Sequence, residues 1–125
     1  MIALESGRID MLYTKNANVT TTDVASIVTI PNGYVAHWSL LFIANLGGST
    51  DDATVYVDKA DGTDLYIIGG TNISSKDYLQ FSDGIIVLQA GDVIKASTGS
   101  AGNMEFVVTF DLLEAPATFV NFNGA

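Results

Sequence analysis

Met104-Glu105-Phe106-Val107-Val108-Thr109-Phe110-Asp111-Leu112-Leu113 alternates along its whole length. Met104, Phe106, Val108, Phe110 and Leu112 fall on one face, and Glu105, Val107, Thr109, Asp111 and Leu113 fall on the other. Successive side chains of an extended chain point to opposite faces, so this stretch predicts a long strand with its even positions turned to a core. A second long run, Val35–Leu46, puts Trp38, Leu40, Phe42 and Ala44 on one face and His37, Ser39, Leu41 and Ile43 on the other. Its second half is apolar on both faces, which predicts a central strand covered from two sides.

Shorter strands with turn punctuation surround these two. Met11–Thr14 comes first, and Val24–Ile30 stops at Pro31-Asn32-Gly33. Ala53–Lys59 faces Leu65–Ile68 across Ala60-Asp61-Gly62-Thr63, where Asp-Gly supplies the positive φ of a hairpin turn and Tyr56 and Tyr66 are set up as a cross-strand pair. Gly69-Gly70, Ser82-Asp83-Gly84 and Ala90-Gly91-Asp92 separate the remaining strands, Tyr78–Phe81, Ile85–Leu88 and Val93–Ser97. No window carries a helical stripe. Composition agrees, with 11 Val, 11 Ile and 12 Thr against 13 Glu, Lys, Arg, Gln and Met together. The expected fold is all-β: a single antiparallel β-sandwich, jelly-roll-like, with eight to nine strands. Residues 1–9 are expected to be an N-terminal arm, 10–114 the sandwich domain and 115–125 an extended C-terminal tail.

Charge and hydropathy narrow the function. The 125 residues carry 14 acidic and 5 basic side chains, a net charge of −9, yet mean hydropathy is +0.33. Five cations, Arg8, Lys15, Lys59, Lys76 and Lys95, cannot neutralise a run of phosphates, which argues against direct binding to nucleic acid or an anionic membrane. The N-terminus lacks the basic and apolar blocks of a secretory signal, and the uncharged run Trp38–Leu46 is far shorter than the ~20 residues of a spanning helix. With no cysteine there are neither disulfides nor thiolate metal sites. High hydropathy in so acidic a chain points to apolar surface covered by a partner.

Catalytic motifs are missing. His37 is the single histidine and has no serine or acid motif around it, and the Gly47-Gly48-Ser49-Thr50 and Gly69-Gly70-Thr71 runs lack the lysine and helix of a phosphate loop. Only Glu5, Glu105 and Glu114 are available as glutamates for paired-carboxylate chemistry. The chain is therefore expected to be non-enzymatic, with no cofactor. Asp58, Asp61 and Asp64 lie close together on the hairpin and are a weak candidate for Ca²⁺, but they lack the ligand order of an EF-hand, so no metal site is assigned. Asn18-Val19-Thr20 and Asn72-Ile73-Ser74 match the glycosylation pattern and are read as chance in a Thr/Ser-rich chain.

After Glu114 the character changes. Ala115–Ala125 has no charged side chain, opens with Pro116 and holds two of the six phenylalanines. It reads either as a last edge strand on its own sandwich or as an arm that docks on a neighbouring subunit, with Phe119, Val120 and Phe122 as the interface residues.

Val28-Thr29-Ile30-Pro31-Asn32-Gly33-Tyr34-Val35, Leu41–Leu46 and Asp52–Val57 resemble small β-sandwich virion proteins of tailed bacteriophages. So do Ile85–Ser97, with the Leu88-Gln89-Ala90-Gly91-Asp92 turn, and the closing strand Glu105–Glu114. The likeness covers roughly residues 10–114. It implies a structural protein of the virion, of the head decoration or cement type, on the capsid exterior. Its partners would be the major capsid protein or other virion subunits, and it would be a homo-oligomer, plausibly a trimer because shell cement proteins often sit on local three-fold positions. The alternative is a collar, tail or adhesin-type component that binds host-surface glycans through Tyr34, Trp38 or Tyr56.

Overall fold

The computed structural model describes residues 10–84 and 86–115 of the chain, with nine strands and no helix among them. In chain order these are β1 (Asp10–Val19), β2 (Ala25–Thr29), β3 (Tyr34–Asn45), β4 (Asp51–Asp58), β5 (Asp64–Ile73), β6 (Tyr78–Phe81), β7 (Ile86–Leu88), β8 (Val93–Thr98) and β9 (Met104–Glu114). Every pairing is antiparallel. One sheet has the order β1-β9-β3-β6, with β7 also on β3; the other has the order β2-β8-β4-β5.

The topology is a rolled hairpin. The Lys59–Thr63 turn is its apex: β4 pairs with β5, β3 with the split strand β6/β7, β2 with β8, and β1 with β9. Successive pairs go alternately to the two sheets, and the β9–β3 and β8–β4 pairings close each sheet. That is the double Greek-key arrangement of a jelly roll, as the strand pattern predicted. It lets each strand bury one face in a shared core while only the outermost strands present free edges.

The alternation in β9 works as read: Met104, Phe106, Val108 and Phe110 are all buried. Ile43, Val55, Val57, Ile94 and Leu88 meet them from both sheets. On β3 the faces differ from the expectation. Ala36 and Trp38 point inward, but so do Leu41 and Ile43, whereas Leu40, Phe42 and Ala44 are only half-buried. The reason is a β-bulge. Thr109 pairs with Leu40 and Phe110 with Trp38, so Ser39 is an extra residue, and the inward set changes from even to odd positions across it. The apolar two-sidedness of this segment is thus in part a register change within one strand.

Two strands are longer than expected. Lys15–Val19 continues β1 because β9 pairs with it all the way to Met104. Gly69-Gly70, read as a separator, lies inside β5, where Val55 pairs with Ile68 and Ala53 with Thr71. Gly70 has φ +69° there, a conformation that a side chain would strain, and its N–H donates to Thr54 Oγ1 at 2.9 Å. The Asp61-Gly62 turn is as predicted, with Gly62 at φ +95° and Lys59 N–H bonded to the Thr63 carbonyl at 2.8 Å.

Candidate functional site

Three regions of the surface combine unusual composition with defined geometry: the end of the sandwich where the chain enters and leaves, the Asp-rich hairpin, and the open edge between β5 and the split strand.

At the first, Asp10 pairs with Leu113, and Glu114 pairs with Tyr34. Ala115 then donates its N–H to the Gly33 carbonyl at 2.8 Å. β1 starts and β9 finishes side by side, so the first and last described residues lie at the same end of the body. Phe119, Val120 and Phe122 lie outside the described residues. The same end is held by Asp92, the last residue of the Leu-x-Ala-Gly-Asp turn. Its side chain is buried, Oδ1 accepts the Ala60 N–H at 2.9 Å and Oδ2 accepts the Gln89 N–H at 2.7 Å. Its own carbonyl accepts the Ile30 N–H at 2.9 Å. One residue, through its carboxylate and its carbonyl, thereby ties together three turns that are distant in sequence. Its role is structural, and sequence spacing does not reveal it because its partners are backbone amides.

On the hairpin, Asp58 and Asp64 are directly opposed across β4 and β5. Asp58 Oδ2 lies 2.8 Å from Lys95 Nζ, and that hydrogen bond raises the Lys95 pKa above its ordinary value. Asp61 instead turns back on its own loop: Oδ1 accepts the Thr63 hydroxyl at 2.7 Å and the Thr63 N–H at 3.0 Å, the hydroxyl first in holding its pKa below the usual carboxylate value. Among the described residues no group of three or more His, Cys, Asp or Glu side chains is arranged to hold a metal ion. Asp51 is more buried than any of these. Its Oδ1 accepts N–H groups of Asp52 and Ser100 at 2.8 and 3.0 Å, while its buried Oδ2 has no hydrogen-bond partner.

The aromatic side chains divide between core and surface. Trp38 is 4% exposed, Tyr34 packs against the core, and both belong to the five-stranded sheet, whereas Tyr56 is on the other sheet. These three therefore share no open face. Tyr56 does stack on Tyr66 as expected, with ring centroids 5.0 Å apart, and Tyr66 is 59% exposed. His37 is half-buried, opposite Asp111 on β9 and Val87 on β7. No hydrogen bond links it to a hydroxyl or carboxylate among the described residues.

The open edge is the region that sequence reading missed. β7 pairs with Ala36–Trp38 and β6 with Leu41–Ala44, and among the described residues none pairs with Ser39 or Leu40 on that side of β3. The Trp38 indole N–H donates to the Leu40 carbonyl at 2.7 Å, satisfying part of the gap. Beside it is a slot of about 240 Å³, walled by Trp38, Leu40, Leu41, Ile67, Phe81 and Ile86. Ile67 comes from the other sheet, so the slot lies between the sheets at their margin. Its walls come from three stretches far apart in sequence, and no local pattern marks it.

No protein-family model matches the sequence, and no curated protein matches it. Among solved structures, the chain is similar to one from the acidic-stable capsid of Helicobacter pylori bacteriophage KHP30, at 17% identity over 88% of this chain and 94% of that one, with TM-score 0.53. It is also similar to a chain from Bacillus endospore appendages, which form disulfide-linked pili, at 9% identity over 94% of this chain and 97% of that one, with TM-score 0.51. The chain has no cysteine, so it shares none of the cross-linking chemistry of those pili. At these identities the likeness is one of fold, and it places the chain among antiparallel β-sandwiches of jelly-roll kind.

Proposed function

We propose that the protein is a non-enzymatic structural subunit of a phage virion, a head decoration or cement protein on the capsid exterior. It would act by contacts with the major capsid protein or other virion subunits and with copies of itself. The observation that carries this reading is the fold, shared over nearly the whole chain with a phage capsid chain. The geometry of the termini supports it. The first and last described residues lie at one end of the body, beside Gly33, and the C-terminal segment that follows is uncharged and aromatic while the whole chain carries −9. An arm of that composition loses little solvation when it docks, and it approaches an acidic neighbour without repulsion. Phe119, Val120 and Phe122 are the proposed contact residues.

The test is the copy number of the chain in purified particles of its source, measured by quantitative mass spectrometry against the major shell protein. A near-stoichiometric ratio is expected for a decoration or cement protein. A few copies per particle would move it to the collar or tail, where glycan binding becomes the reading to test, and absence from particles would overturn the virion assignment.

A further inference from the structure

Four strands end the two sheets: β1 and β6/β7 in one, β2 and β5 in the other. Free strand edges are templates for another strand, and proteins guard them with charge, shortness or interruption. Three of the four are guarded. β6 and β7 are 4 and 3 residues long and β2 is 5. β1 carries Lys15 beside the sandwich interior, while Asn16 and Asn18 on its outer face are bonded to Glu105. β5 is different. It runs for 10 residues, Asp64 is its one charged side chain, and among the described residues it pairs with β4 alone. It is also apolar on both faces beside the edge: the slot holding Trp38, Ile67, Phe81 and Ile86 lies on the inner side, and Tyr66, stacked on Tyr56, on the outer.

We propose that the β5 edge at Leu65–Ile68, with the slot beside it, receives the Thr118–Phe122 segment of a second copy of this chain as an added strand. The inference rests on the reading of residues 115–125 as a docking arm. An added strand would hydrogen-bond the main chain of β5 and send alternate side chains to opposite faces. Val120 and Phe122 then share the side that closes over the slot, and Phe119 falls on the side of Tyr66. All three proposed contact residues then have an apolar partner at this edge. The slot, about 240 Å³, is large enough for one aromatic side chain.

Length argues for a second copy. Thr118 is three residues beyond Ala115, a reach of ~10 Å when fully extended. From the end of β9 to β5 the same chain must pass β3 and the split strand, two spacings of ~4.8 Å, and cross the ~10 Å between sheets, at least ~14 Å in all. Two bodies of net charge −9 repel, so a contact between copies needs a segment that brings no charged side chain, and residues 115–125 are such a segment.

The full-length chain is tested by sedimentation velocity over a concentration series, together with Trp38 emission, a local probe because Trp38 is the single tryptophan and lines the slot. Two variants are compared: a tail variant, F119D/F122D, and an edge variant, Y66S/F81E, whose substituted residues are 59% and 45% exposed and so leave the core intact. Wild type is expected to self-associate with a change in Trp38 emission, and each variant to associate at least about tenfold more weakly. Mixing the two variants restores one productive contact, tail of one to edge of the other, and a one-to-one complex should form. If the tail variant loses association and the edge variant keeps it, the arm reading stands and this receptor is wrong. If the tail variant associates like wild type, or wild type is monomeric throughout, docking of the arm between copies is overturned, while the arm reading itself is then judged on purified particles, by whether the tail variant still binds the shell. A Trp38 signal that depends on the tail at every dilution without association would put the arm in its own slot, which overturns docking between copies.

Discussion

Removing the buried carboxylate of Asp92 would take the hydrogen-bond partner from two amide N–H groups, those of Ala60 and Gln89. Each buried donor left unpaired costs about 1–3 kcal/mol, so Asp92→Ala should destabilise by roughly 3 kcal/mol. Asp92→Asn, which keeps one acceptor, should cost about half as much. Urea denaturation followed by Trp38 fluorescence measures both; equal midpoints for wild type and Asp92→Ala would show that the turns are held by something else. Asp61 gives a residue-level test in pH. Its pKa is depressed by the Thr63 hydroxyl and N–H, so its contribution to stability is complete above the unfolded value of 3.8 and is lost as pH falls through the lower folded value. Thr63→Val removes the hydroxyl, the larger cause, and should move the Asp61 titration upward toward 3.8 in an NMR pH series. Lys95 has the opposite sign. Its raised pKa makes the Asp58 contact stabilising below 10.5 and lost only as pH rises through the folded value, so neutral pH leaves that contact in place.

Among the elements, β9 and β3 show why some strands are read correctly from sequence and others are not. In β9 each residue lies opposite one residue of β1, so alternation in the sequence becomes alternation in space. In β3 the extra Ser39 breaks that correspondence. A pattern with period two has no means of reporting a residue that takes no part in the pairing, so Leu40 and Phe42 are assigned the wrong face. Deleting Ser39 should give a regular strand in which Ala36, Trp38, Leu41 and Ile43 keep their inward positions. The variant is therefore expected to fold, with stability within about 2 kcal/mol of wild type, and to retain the near-ultraviolet signal of a packed Trp38. Unfolded variant protein would show that the bulge is required for β3 to bridge β6 and β7. Gly69-Gly70 in β5 has a similar explanation: a glycine pair marks backbone freedom, and pairing with β4 determines that the freedom serves a bulge and not a turn.

For the whole molecule, the strand that opens the described chain pairs with the one that closes it, and β9 holds β1 on one side and β3 on the other. The five-stranded sheet cannot form until the C-terminal strand is present, and closing so long a loop is slow. Refolding followed by Trp38 fluorescence should accordingly take milliseconds to seconds, and a microsecond phase carrying the full amplitude would contradict that account. At the same scale the described residues form one acidic body with an apolar margin between β5 and the split strand. The amino-acid sequence by itself determined the all-β class, the positions of most strands, the Asp-Gly turn and the Tyr56–Tyr66 pair, because period-two burial and turn chemistry are local properties. Tertiary structure alone decided the sheet order, the bulge at Ser39, the three-turn junction at Asp92 and the slot beside Trp38. Each of these depends on which distant backbone groups and side chains lie opposite one another, and that is settled only when the hairpin rolls up.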